Sequence, residues 1–155
     1  MVKYEFTATE ERLLEDLRPV VEGLGFHIVD LRGKQVKTTF HVSLIIHSSD
    51  GVGLDGCETV HRTVLPRLEM MEDNRDIHVE VSSPGIDRTI RTASEFAIFV
   101  GKGVRVLLKE ENDWIAGIIS SAGDKEVCLE TDGDTACFGY GQIRKARLDD
   151  SQEVR

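Results

Sequence analysis

The chain has 155 residues, 40% of them hydrophobic, with 19 Lys and Arg against 28 Asp and Glu and a formal net charge of -9. That much apolar material can close a core without metal or disulfide help. The charge argues against sequence-blind nucleic-acid binding, which works by neutralising phosphates with Lys and Arg, and favours basic partners. The opening residues lack an apolar run before their first carboxylates, and apolar stretches are as short as residues 44–46, so neither a signal peptide nor a membrane span is expected. Cys57, Cys128 and Cys137 show no CxxC spacing. Free thiols of a cytoplasmic protein are expected, with no zinc site and no disulfide framework.

The first element is a helix. Leu13, Leu14, Leu17, Val20, Val21 and Leu24 recur at three- and four-residue steps, Thr7 and Glu10 have capping-box spacing, and Gly23 or Gly25 can stop it. Pro19 should bend or interrupt this helix. A strand follows, with Phe26, Ile28 and Asp30 alternating against His27, Val29 and Leu31. A polar turn over residues 33–38 leads to a second strand carrying Phe40, Val42, Leu44 and Ile46 at period two. After the loop at residues 48–51 comes a second helix with an inward stripe of Cys57, Val60, Val64, Leu68 and Met71, where Pro66 predicts another kink. Ile77, Val79 and Val81 mark a third strand. The first half therefore reads α-β-β-α-β, a three-stranded sheet with two helices on one face.

Helical periodicity then gives way to short strands. A capping-box start at Thr92 with Glu95 and a brief apolar turn over residues 96–100 precede strands at 104–109, 114–120, 126–130, 135–138 and 143–148, broken by Gly, Asp and Asn. Five short strands with turn signals between them suggest a small closed barrel. The chain is accordingly α+β, with an N-terminal α/β domain over residues 1–91 and a C-terminal barrel over 92–155.

Catalytic and cofactor motifs fail on inspection. Gly51, Gly53 and Gly56 match GxGxxG after a strand and before a helix. However, the preceding strand alternates as a half-solvated strand does, and Asp50, Asp55 and Glu58 would repel a pyrophosphate there. The five histidines, His27, His41, His47, His61 and His78, form no HxxxH pair. His41 and His47 share strand parity, and His27 can lie across the hairpin on a solvated face. No GxSxG or activated Cys is present. No catalytic residue, metal or cofactor is expected, and the chain reads as a binding protein that is not an enzyme.

The most informative segment is residues 80–88, Glu-Val-Ser-Ser-Pro-Gly-Ile-Asp-Arg. A strand ends at Ser83, Pro84 and Gly85, and adjacent Pro and Gly set a type II turn. Asp87 and Arg88 follow, with Arg91, Lys102 and Arg105 adding positive charge. Two readings stand level. In one, Asp87 and Arg88 pin the two domains together. In the other, Ser83, Pro84, Gly85, Asp87, Arg88 and Arg91 form a partner surface on which Arg88 reaches a phosphate or carboxylate.

This segment also resembles the RimP family of bacterial ribosome maturation factors. Matching stretches are residues 17–25 (Leu-Arg-Pro-Val-Val-Glu-Gly-Leu-Gly), Val29–Asp30, 54–58 (Leu-Asp-Gly-Cys-Glu), 79–88, 96–101 and 143–148 (Ile-Arg-Lys-Ala-Arg-Leu), in the family's order and spacing. The resemblance implies an α/β domain joined to an SH3-like β-barrel. It also implies maturation of the small (30S) ribosomal subunit through ribosomal protein S12, with possible contact to 16S rRNA, by a monomer without catalytic residues. One departure is Thr89, where the family usually has Pro after Asp-Arg. Acidic residues outnumber basic ones in both halves, so charge does not say which half holds a basic partner. The barrel is the better candidate by resemblance, because such folds bind extended peptides. The alternative is a direct RNA-binding module without a protein partner, which would need aromatics on an exposed sheet face.

Overall fold

The computed structural model describes residues 6–71, 76–86 and 88–153. The chain divides into two compact units, Glu5–Pro84 and Gly85–Arg155.

The first unit runs α1 (Ala8–Gly23), β1 (His27–Val36), β2 (Thr39–His47), α2 (Leu54–Met71) and β3 (Asp76–Ser82). Its sheet has the order β1-β2-β3, with β1 antiparallel and β3 parallel to β2. Antiparallel β1 and β2 need only a tight turn. Parallel β2 and β3 need a crossover, which α2 supplies. Thr7 Oγ1 accepts the Glu10 amide at 3.1 Å, and Glu10 Oε1 accepts the Thr7 amide at 2.9 Å, completing the expected capping box. The other Glu10 oxygen accepts the Gly33 amide at 2.9 Å, tying the helix start to β1. At the far end Gly25, at φ 93°, sits past the C-cap. Its amide donates to Glu22 O and that of Phe26 to Val21 O, which is the Schellman stop.

Both prolines sit inside uninterrupted helices, Pro19 in α1 and Pro66 in α2. Pro19 therefore does not interrupt its helix, because the buried stripe on either side holds it on the sheet, and α2 likewise runs through Pro66. Leu13, Leu14, Leu17 and Val21 of α1 share one core with Val60, Val64 and Leu68 of α2 and with Phe40, Val42, Leu44 and Ile46 of β2. The β1 alternation also departs from expectation. A bulge between Ile28 and Asp30 leaves Ile28, Val29, Asp30 and Leu31 all buried, since an extra residue shifts the side-chain phase. The strand then continues past the expected turn to Val36, and the chain reverses at Lys37 with φ 55°. Gly33 lies within this strand because a Cβ there would come within 2.7 Å of the Phe40 ring.

The second unit contains α3 (Ala93–Ile98), then β4 (Gly103–Leu108), β5 (Ile115–Ala122), β6 (Glu126–Thr131), β7 (Asp134–Gly139) and β8 (Ile143–Leu148). These five strands fall where the sequence places them. They form an antiparallel sheet of order β7-β6-β5-β4-β8. Among the described residues no pairing joins β7 to β8, so the expected closed barrel is seen here as a five-stranded sheet. Its core holds Phe96, Phe99, Val104, Val106, Ile119, Val127, Leu129, Ile143 and Ala146, all nearly inaccessible. Asp132 and Gly133, both at positive φ, make the two-residue turn between β6 and β7, which suits the twist of a tight hairpin. Cys128 and Cys137 are directly opposite in this hairpin and are joined by a disulfide. That corrects the expectation of three free thiols, and Cys57 alone remains free. The residues lie nine apart with no spacing motif, and only strand register brings their sulfurs together.

Candidate functional site

The segment singled out in the sequence starts within β3 and leaves it at Ser82. Ser83, Gly85 and Ile86 are exposed, Ile86 to 75%, and Pro84 is half-buried. Asp87 lies outside the described residues. The Arg88 amide donates to Gly85 O at 3.1 Å.

From Arg88 the chain joins the second unit. The Ile90 amide donates to Ala146 O at 2.8 Å, the Leu148 amide donates to Arg88 O at 2.9 Å, and Thr89 bridges Arg147. Residues 88–90 thus lie along the outer edge of β8, and Ile90 is buried. The compact unit therefore begins ahead of the change in sequence pattern expected after Arg91. Periodicity cannot reveal three residues that pair with a strand more than fifty positions later.

Glu95 is the residue that sequence reasoning misplaced. It was expected to cap α3 by pairing with Thr92, but Thr92 makes no side-chain cap bond. Instead Glu95 is buried, with its side chain 2% exposed. One carboxylate oxygen accepts from Arg88 Nε at 3.0 Å, and the other accepts from the Arg91 amide at 3.2 Å. An ionised carboxylate in an apolar setting is stabilised far more by a buried guanidinium than by a helix amide, so the ion pair prevails over the cap. A signal was available. Glu95 is the lone charge in the apolar run that follows Arg91, and such charges are paired when buried.

The Arg88 side chain is only 9% exposed, so its guanidinium sits in the interior of the second unit. The other cations named with it are also engaged. Lys102 Nζ lies 3.5 Å from Glu153, and the Arg105 guanidinium stands 5.5 Å from the Trp114 ring centre. Arg91 is exposed while its amide is held by Glu95. The structure thus brings Arg88 and Arg91 together on one carboxylate and leaves Ser83, Gly85, Ile86 and Arg91 at the surface.

Other motifs resolve as packing. Gly56 faces the Phe26 ring, where a Cβ would come within 2.8 Å, so that glycine of the GxGxxG run serves contact between α2 and the residue before β1. His27 pairs in register with His47, and His41 stands beside His78 with ring centres 5.1 Å apart. The latter pair lies on the sheet face opposite the helices. Glu126, Cys128 and Cys137 place potential metal-ligand atoms within 4.8 Å of one another, but the disulfide engages both sulfurs. Among the described residues no helix is long and apolar enough to cross a membrane.

Residues 16–87 match the RimP N-terminal domain family. The chain is also similar to the ribosome maturation factor RimP of Borrelia hermsii, with 29% identity over 132 residues, covering 85% of this chain and 90% of that one.

Proposed function

Because this chain belongs to the RimP family, we propose that it is a cytoplasmic ribosome maturation factor assisting assembly of the small (30S) subunit. It binds the maturing particle through ribosomal protein S12, acts as a monomer without cofactor, and is not an enzyme. The carrying observation is similarity along most of the chain to a protein named for ribosome maturation. A net charge of -9 supports a basic protein partner, since carboxylates steer association with Lys- and Arg-rich surfaces. The strand order, with the last strand β8 beside the first strand β4, supports reading the second unit as an SH3-like barrel.

Within residues 83–91 we assign partner contact to Ser83, Pro84, Gly85, Asp87 and Arg91. Arg88, the remaining residue of this assignment, is held by Glu95 and acts as its support. The test is gradient sedimentation of extracts holding immature small-subunit particles, with the pure chain added at low and high salt. Co-sedimentation that salt weakens is expected, and a protein that stays at the top of the gradient overturns the proposal. Binding to naked 16S rRNA as tight as to the particle would favour the direct RNA-binding module instead. That module lacks support on the open face of the β1-β2-β3 sheet, where His41 and His78 stand in place of stacking Phe, Tyr or Trp.

A further inference from the structure

The two outer strands of the five-stranded sheet are not alike. The edge of β8 is covered by residues 88–90, whereas β7 pairs with β6 alone among the described residues. An uncovered edge is a template for another strand. The two-residue turn fixes which groups of β7 face outward. Thr131 and Asp134 close the turn as a hydrogen-bonded pair, and alternation then makes Glu130/Thr135 and Cys128/Cys137 non-bonded pairs. The backbone N–H and C=O of Thr135 and Cys137 therefore point away from β6. Gly139 confirms the phase, because its amide is also outward and is taken by Gln142 Oε1 at 2.8 Å. The disulfide between Cys128 and Cys137 holds β7 against β6.

The charge around this edge is predominantly negative. The hairpin carries Asp124, Glu126, Glu130, Asp132 and Asp134 against the single cation Lys125, and all are exposed. Tyr140, at the base of the hairpin, registers the field: burial first, then Asp124 and Glu126, push its phenol above the usual value.

We infer that the edge of β7, which no described strand covers, is a docking site for an extended, Lys- and Arg-rich peptide segment, which adds to the sheet as a further strand beside Thr135 and Cys137. Main-chain hydrogen bonds supply register-specific affinity, and the carboxylates of the hairpin select a basic partner and speed its encounter. This deepens the proposed function by saying where a basic ribosomal protein would dock.

The experiment uses the full chain and a fluorescent ten-residue peptide of alternating Arg and Thr. Three comparison peptides accompany it: one with Glu in place of Arg, and two Arg-Thr peptides methylated on alternate backbone nitrogens in the two possible phases. One methylated phase and the Glu peptide are expected to bind at least about tenfold more weakly. Thr135→Pro removes an outward amide and leaves the pairing with β6 intact, as edge strands tolerate, so it should weaken the parent peptide by a similar factor. Equal binding of the parent and both methylated peptides overturns the inference even if the Pro variant fails to fold. So does absence of binding by the parent peptide. Sedimentation with immature particles, run beside it, separates the two ideas. Peptide results that overturn docking while the chain still co-sediments leave the proposed function standing, whereas loss of co-sedimentation removes that function itself.

Discussion

Removing the Glu95 carboxylate is the most severe test of how the second unit is held. In Glu95→Ala the Arg88 guanidinium, with its side chain 9% exposed, loses the carboxylate 3.0 Å from its Nε, and the Arg91 amide loses its acceptor. Breaking a buried ion pair from one side costs about 3–5 kcal/mol. A unit of about 70 residues has roughly 4–10 kcal/mol of stability in all, so the variant should sit at the margin of folding. Trp114, the single tryptophan, lies in this unit and reports it. Urea unfolding followed by its fluorescence should show the midpoint falling by about a third or more. Replacing both partners with apolar residues, Arg88→Met with Glu95→Leu, should cost clearly less than Glu95→Ala, since both charges leave together. A loss under about 1 kcal/mol in Glu95→Ala, the size expected of a surface pair, would refute the reasoning.

Gly103→Ala should destabilise the second unit by about 1–3 kcal/mol or more, because its Cβ would meet the Asp149 carbonyl and Gln152. Gly53→Ala, with open space around it, should leave the thermal midpoint within a few degrees. Thiol titration of the native protein should find one reactive Cys and titration after reduction three, and reduction should cost about 2–3 kcal/mol of stability by loop-closure entropy; three thiols at the outset would contradict the Cys128–Cys137 pairing. Burial alone would raise Glu10, but the Thr7 and Gly33 amides, the Thr7 hydroxyl and Arg32 outweigh it and hold the carboxyl below its usual value. A depressed folded value means stability present above the ordinary carboxylate range and lost as pH falls through it. Glu10→Gln should therefore flatten the acid limb of unfolding monitored by circular dichroism, and an unchanged limb would count against this role.

Much of the architecture was legible because it rests on local rules. The apolar stripe of α1, its Thr7–Glu10 cap and Gly25 stop each depend on neighbours within a turn, and the period-two run in β2 depends on one buried face. The five short strands of the second unit were marked by the turn residues between them. The family resemblance, resting on residues 79–88 and their companions, belongs equally to the sequence. Other features required the assembled chain. Pro19 and Pro66 sit in continuous helices because tertiary packing outweighs their local penalty. The covering of β8 by residues 88–90, the disulfide between Cys128 and Cys137, and the uncovered edge of β7 all follow from strand register, which composition and periodicity do not encode. Glu95 shows the physical reason most directly. A carboxylate three residues after a threonine has the spacing of a helix cap, and only burial beside Arg88, where a charge must find a counter-charge, turned it into an ion pair.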